Sequence, residues 1–185
     1  MPTSGRNATA PPTLQTARLI LRPHRAEDLD ACASMWGNPN VTQHIGGRPS
    51  TRRETWMRLL NYRGLWSLLG YGYWAVVERA TGTFAGDVGF ADFHRELVPS
   101  IDGIPEGGWV LDPAFHGPGY ASAAVHAALA WIDANVAAPR TVCIVAPENI
   151  ASIRVAEKAG YVEASRTTYH NQPTIVFART RATNA

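Results

Sequence analysis

Apolar and polar residues alternate from Arg18 to Arg22 until Pro23 stops the run, which predicts a first strand with one buried face. From Ala26 to Trp36 the apolar positions Leu29, Ala33 and Trp36 follow helical spacing, with Glu27 and Asp28 at the positive end of the helix. Asn38-Pro39 ends that helix, because the residue before a proline avoids helical backbone. A loop from Val41 to Pro49 leads to Ser50, the expected cap of a second helix running from Thr51 toward Leu60 with Trp56 and Leu59 or Leu60 inward. Tyr73 to Glu78 and Thr83 to Phe93 flank Arg79-Ala80-Thr81-Gly82, the signature of a hairpin; Gly86 and Gly89 in its second arm predict a bulge or a close backbone approach. Arg95 to Pro105 reads as a loop and Glu106 to Leu111 as the next strand. A helix with Val125, Leu129 and Ile132 on one face follows a glycine-rich turn. Thr141 to Val145, β-branched and bounded by prolines, predicts a buried parallel strand returning after that helix. Asn149 to Ala159 is a helix ended by Gly160, and Tyr161 to Arg166 and Thr174 to Arg179 form a last hairpin around His170-Asn171-Gln172-Pro173.

The order β-α-α-β-β-β-α-β-α-β-β implies an α/β (α+β) domain, one mixed and mostly antiparallel central sheet with helices on both faces. The 185 residues suit a single domain. Residues 1–15, rich in Pro, Thr and Ala and without a signal-peptide core, read as a disordered leader; 16–180 form the domain and 181–185 a tail. Asn7-Ala8-Thr9 fits a glycosylation acceptor by chance.

A net charge of +2, with scattered arginines, argues against nucleic acid as a partner. No apolar run approaches the roughly 20 residues of a membrane span. Cys32 and Cys143 lie in apolar contexts and read as buried free thiols, and the six histidines are too dispersed for a metal site, so no metal is expected.

The chemistry concentrates in Gly107 to Asp133, a strand, a glycine turn and a helix in that order. His116-Gly117-Pro118-Gly119-Tyr120-Ala121 lets the backbone approach a ligand, and the first turn of the helix presents unpaired N–H groups, an arrangement suited to a phosphate or pyrophosphate. A P-loop is excluded, since the chain's one lysine is Lys158. A dinucleotide fingerprint is matched only in its first two glycines, with Ser122 at the third, and Glu148 lies too far along to bind a ribose.

A third pattern fits better. The turn resembles the acyl-CoA signature of the GNAT acetyltransferase superfamily, [QR]-x-x-G-x-[GA], through Gly119 and Ala121, with His116 at the Gln/Arg position. Gly70 to Phe93 looks like that family's central hairpin, and Ala146 to Val162 like its asparagine-serine helix and Lys-x-Gly-[FY] strand entry. The opening Arg18 to Pro23 and the passage Trp36 to Val41 are similar to the RimJ/RimL-like branch; the likeness runs from Thr16 to Thr180.

The resemblance implies the GNAT fold, in which the strand before the glycine turn and the strand after its helix splay apart, and acetyl-CoA as cosubstrate. It implies backbone N–H groups of Val110 and Leu111 for the pantetheine amide and acetyl oxygen, and the stretch Gly117, Pro118, Gly119, Tyr120, Ala121 and Ser122, through its N–H groups, for the diphosphate, with His116 as a loop contact. Glu106, the glutamate of an E-x-G-[YW] pattern, is the candidate base or water-positioning group, with Asp102 and Asp92 behind it; its bland reading is a salt-bridged strand-end carboxylate. Asn149 and Ser152 fit N-x-x-S, the asparagine toward pantetheine and the serine toward the departing sulfur, although an asparagine there is also a natural helix cap. The tyrosine that many members use as general acid is replaced by Ala156. Trp36, Trp56, Trp66 and Tyr169 are candidate walls of an acceptor pocket, or simply core, and His44 and His170 candidate contacts.

The expected activity is cytoplasmic transfer of an acetyl group to a primary amine of a small molecule or a protein N-terminus, by direct attack in a ternary complex. The competing readings are a dinucleotide-dependent oxidoreductase and a non-catalytic acyl-CoA sensor. The acceptor and the oligomeric state, a homodimer included, stay open at the level of sequence.

Overall fold

A computed structural model describes residues 11–181. It contains one eight-stranded sheet in the order β1-β2-β3-β4-β5-β6-β8-β7, antiparallel throughout except where β5 meets β6. The strands are β1 Leu14–Gln15, β2 Leu19–Arg22, β3 Tyr73–Glu78, β4 Phe84–Ala91, β5 Glu106–Leu111, β6 Arg140–Val145, β7 Val162–Tyr169 and β8 Gln172–Thr180. The helices are α1 Leu29–Trp36, α2 Pro39–Thr42, α3 Arg52–Leu69, α4 Tyr120–Asn135 and α5 Ile150–Lys158. The mixed, mostly antiparallel sheet read from the sequence is therefore present.

Strand alternation sorts the core into two layers. Trp74, Val76, Val88 and Phe90 face α4 and pack with its Val125, Leu129 and Ile132. Tyr73 and Ala91 face the other way, onto Tyr62 and Leu65 of α3, and Trp36 of α1 packs beside them with Met35, Leu59 and Val110. Trp66 closes one edge, crossing Trp74 and Trp131 edge-on at 4.7 and 5.2 Å.

Several local expectations change. Of the leader expected over 1–15, residues 11–15 are described and pack on the sheet: Leu14–Gln15 pairs with β2, and the Trp74 indole donates to the Pro12 carbonyl at 2.8 Å. Residues 1–10, with the glycosylation-like Asn7, and 182–185 of the tail lie outside the described residues. The buried face of α1 is Cys32, Met35 and Trp36, with Leu29 and Ala33 only half-buried. Pro39–Thr42 forms a helical turn where a loop was read from Val41 onward. The cap of α3 is Thr51, in a reciprocal box with Glu54 and not Ser50, and the helix runs through Gly64 to end at Gly70 in the left-handed region, φ 76°. Leu59 is buried there, Leu60 exposed and Trp56 half-buried. The last hairpin turns on two residues, His170 and Asn171, both at positive φ, while Gln172 and Pro173 already belong to β8.

The predicted bulge is where Gly86 sits. The register of β3 against β4 slips between Val76 and Val77, and Gly86 has φ 153° at a place where a β-carbon would collide with the Val110 carbonyl and the Leu111 backbone. This lets β4 hold the part of β5 that carries the site.

Candidate active site

The parallel ladder between β5 and β6 holds one register pair, Glu106 with Val142, after which the strands separate. Alternation then decides which amides are free. Asp112 N–H donates to Ala85 in line with β4, and Val142 N–H donates to Pro105 on the opposite side. Residues 106, 108 and 110 consequently point their backbone groups at β4, and 107, 109 and 111 at the gap. The Val110 amide is thus turned away from the opening, whereas Trp109 and Leu111 present theirs to it. Sequence reasoning named the pair Val110 and Leu111; the register favours Trp109 and Leu111, with Val110 contributing its side chain.

Two cavities meet at this gap. One, of about 660 Å³, is bounded by β5, the glycine turn and α5, and Leu111, His116, Gly117, Gly119, Ala121 and Ser122 line it. The other, of about 960 Å³, opens between α3, the loop after α2 and the last hairpin, and reaches Trp36, Arg58, Tyr73, Glu106 and Tyr169. Trp109, Val110, Glu148, Asn149 and Ser152 border both.

On the narrower side, Gly117 and Gly119 take positive φ, 102° and 82°, and deliver the chain into α4 with Gly119 as a cap that has no side chain to satisfy the first turn. The first-turn N–H groups of a sixteen-residue helix thereby face the cavity with the positive end of its dipole. The His116 imidazole Nε2 donates to the Leu111 carbonyl at 3.0 Å, tying the turn to the end of β5. Asp112 caps the short 3-10 turn Pro113–Phe115 by accepting from Ala114 N–H at 2.9 Å. Arg18, a hundred residues earlier, donates to the Pro118 carbonyl at 2.7 Å and lies over the Tyr120 ring, whose hydroxyl donates to Glu78. Arg154 and Lys158 of α5 add positive charge to the same cavity. None of these three cations was singled out from sequence, because only the fold brings them to the turn. The turn, its uncapped helix and the open edge of β5 fit a diphosphate followed by an amide-bearing arm.

Glu106 and Val110 share the sheet face that looks toward α3. Glu106 is 4% exposed, and its Oε2 accepts from Arg95 Nε at 2.7 Å. Arg95 also donates to the Tyr169 hydroxyl at 3.0 Å and stacks near Phe93 and Tyr169. Burial raises the Glu106 carboxyl above the usual glutamate value even though the Arg95 guanidinium pulls it down. Burial and a salt bridge therefore coexist here. Asp92 accepts from the Gly103 and His94 backbone in the loop before β5, and Asp102 is exposed; neither lines either cavity.

Asn149 Oδ1 accepts from Ser152 N–H at 3.1 Å, so this asparagine is the cap of α5, with its NH2 group left for the cavity. Ser152 borders both cavities, and Ala156 is fully buried behind it. Of the aromatic candidates, Trp36 and Tyr169 line the wide cavity along with Tyr62, Tyr73 and Phe93, whereas Trp66 is core and Trp56 lines neither cavity. His170 lines the wide cavity and His44 lines both. Cys32 and Cys143 are buried, and burial raises both thiols well above the usual range, which leaves no thiolate for nucleophilic work.

Two cavities share one splayed strand, with an uncapped helix start on one side and a buried carboxylate on the other, an arrangement suited to joining a phosphorylated carrier to a second substrate. Residues 18–162 match the family model of the acetyltransferase (GNAT) domain. A GnaT-family acetyltransferase from Bordetella pertussis superposes with a TM-score of 0.81 at 28% identity, over 92% of this chain and 100% of that one. An acetyltransferase from Agrobacterium tumefaciens str. C58 gives 0.78 at 29% identity, over 91% and 94%. The fold is shared with RimL, the ribosomal L7/L12 α-N-protein acetyltransferase, in complex with coenzyme A, at a TM-score of 0.74 and 18% identity over 91% and 98%. The chain belongs to the GNAT acetyltransferase family and is an acetyl-CoA-dependent N-acetyltransferase with an amine as acceptor. A dinucleotide oxidoreductase would need β5 flanked by parallel strands, whereas β4 runs antiparallel to it. Among the described residues no helix is long and apolar enough to cross a membrane.

Proposed function

We propose that acetyl-CoA enters through the narrower cavity and the amine through the wider one, and that they meet beside Val110 in a ternary complex. The observation that carries this reading is the open edge of β5 between an uncapped α4 and the buried Glu106. Bound there, acetyl-CoA supplies the thioester whose acyl group is transferred. The first-turn N–H groups of Tyr120, Ala121 and Ser122, with Gly117 and Gly119 giving access, hold the diphosphate, and Arg18, Arg154 and Lys158 lend it a positive surround. The Leu111 and Trp109 edge of β5 aligns the pantetheine amide and donates to the acetyl oxygen as charge develops on it. Asn149 offers its NH2 group to the arm. Glu106 accepts the proton that the amine loses, with Arg95 fixing the orientation of its carboxylate. Ser152 donates toward the departing sulfur, since Ala156 has no proton to give. The acceptor is a primary amine of a small molecule or a protein N-terminus, and the enzyme works in the cytoplasm, where its free thiols stay reduced.

Ala121→Asp tests the cradle. An acidic side chain in the first turn favours the helix while opposing a bound diphosphate, so folding should persist and acetyl-CoA affinity should fall at least tenfold, on the order of 1.4 kcal/mol. Calorimetric titration with acetyl-CoA, with free-thiol release over a panel of amines, checks it. Unchanged affinity in the variant would remove the diphosphate from this turn.

A further inference from the structure

Arg58 lines the wide cavity and, among the described residues, has no carboxylate partner. Arg58 of α3 lies with its guanidinium 3.7 Å over the Trp36 ring, and Trp36 is itself fixed, because its indole donates to Asp87 Oδ2 at 2.9 Å. The second oxygen of Asp87 accepts from His24 Nε2 at 2.8 Å, so this buried carboxylate has both oxygens engaged elsewhere. Among the described residues no acidic oxygen lies within 4.0 Å of Arg58; its Nε is buried without a partner, and Nη2 has a long contact of 3.5 Å to the Ser50 hydroxyl. Of the carboxylates that line the cavity, Glu148 has no cation within 4.0 Å among the described residues and sits where the two cavities meet, away from the paired ones. Glu54 is held by Arg48 and Glu106 by Arg95. A planar guanidinium clamped on an indole and facing a cavity with spare donors is suited to an oxyanion of matching fork geometry.

We propose that the acceptor is an amine that also carries a carboxylate, and that Arg58 receives that carboxylate while Glu106 faces the amine. The inference rests on the acetyl-transfer reading above and adds the substrate class to it. A polyamine fits poorly, since a second ammonium would meet Arg58 with like charge. The carboxylate can come from a free amino acid or from an acidic side chain near a peptide's N-terminus, and the chemistry at Arg58 is the same for both.

Thiol release from acetyl-CoA is measured with L-alanine against L-alaninamide, with Ala-Asp amide against Ala-Asn amide, and with spermidine. In at least one pair the carboxylate member should be preferred by about 10- to 100-fold in kcat/KM, the range of a charge-assisted hydrogen bond. Which pair shows it identifies the source. Arg58→Met should collapse that ratio toward one, mainly through KM, and Arg58→Lys should recover part of it. Equal rates within both pairs, or spermidine as the best acceptor, would overturn the proposal and leave the acetyltransferase reading standing. A second readout needs no turnover: propionate, but not propionamide, should shift the Trp36 indole N–H resonance in the wild type and not in Arg58→Met. Absence of that shift also counts against the site, while a shift without turnover of any amine would count against the acceptor role of the cavity alone.

Discussion

As the proposed base, Glu106 would link stability to activity through one carboxyl group. Burial raises its carboxyl above the usual glutamate value against the pull of Arg95. A raised acid pKa means that the folded protein favours the protonated form; this contribution to stability is complete below the unfolded-state value and is lost as pH rises through the folded one. Activity runs the other way, because only the carboxylate can take a proton. The acid limb of kcat/KM should therefore lie above the ordinary glutamate range, in the same window where this part of the stability is given up. Glu106→Gln should remove that limb and lower kcat by roughly 10²- to 10⁴-fold, with acetyl-CoA affinity retained. A pH–rate profile with a binding titration checks both, and an unchanged profile would reassign the base. Ser152→Ala should cost about tenfold or less in kcat, one hydrogen bond's worth. Glu106 was legible because it starts a strand just before a glycine-tryptophan pattern. Arg95 was not, because it sits in a loop whose path depends on Tyr169, seventy-four residues later.

At the scale of the element, capping and glycine chemistry decided where segments begin and end, and packing overrode them in places. Gly64 lies just past the end expected for α3, and an internal glycine costs a helix about 1 kcal/mol. The helix nevertheless continues, because Tyr62, Leu65 and Trp66 beyond its predicted end bury against the sheet. On α1 Trp36 is buried as read, but Cys32 and Met35 take the places expected for Leu29 and Ala33, because they meet Leu59 across the interface, which no pattern within α1 records. Gly86 could be read as a bulge, but not the strand it would touch. A methyl group there would run into the Val110 carbonyl and the Leu111 backbone, at a φ that side chains rarely adopt. Gly86→Ala should destabilise by about 1–3 kcal/mol, the strain of such a backbone, and lower Tm by roughly 2–12 °C. Since β5 must shift to make room, KM for acetyl-CoA should rise as well. Thermal unfolding followed by steady-state kinetics checks the pair of effects; a variant with normal Tm would mean that β4 and β5 are less tightly opposed than the register indicates.

Across the whole molecule, the site exists because one sheet is incomplete. β1 to β5 form one antiparallel run and β6, β8 and β7 another, and the two are joined through a single parallel register pair. Backbone groups left open along a buried strand are unfavourable unless something pairs with them, so the gap amounts to binding free energy held in reserve. A coenzyme lying along β5 would complete the hydrogen bonding of both halves, and its diphosphate would cap α4. The order of elements let the sheet be read from the chain, whereas the gap was expected only through family likeness, since no residue pattern marks where two strands stop pairing. Ligand binding to the folded state alone stabilises it by RT ln(1 + [L]/Kd), about 2.7 kcal/mol at a hundredfold excess over Kd. For a chain of this size acetyl-CoA at that excess should raise Tm by roughly 5–11 °C, and NADH at the same concentration should not. Hydrogen exchange should locate the effect, slowing at the amides of Trp109, Leu111 and Tyr120 to Ser122, while the amides of β2 and β3 change only as far as global stability does. Slowing spread evenly over the sheet, with none concentrated at these positions, would mean that the coenzyme binds without bridging the two halves.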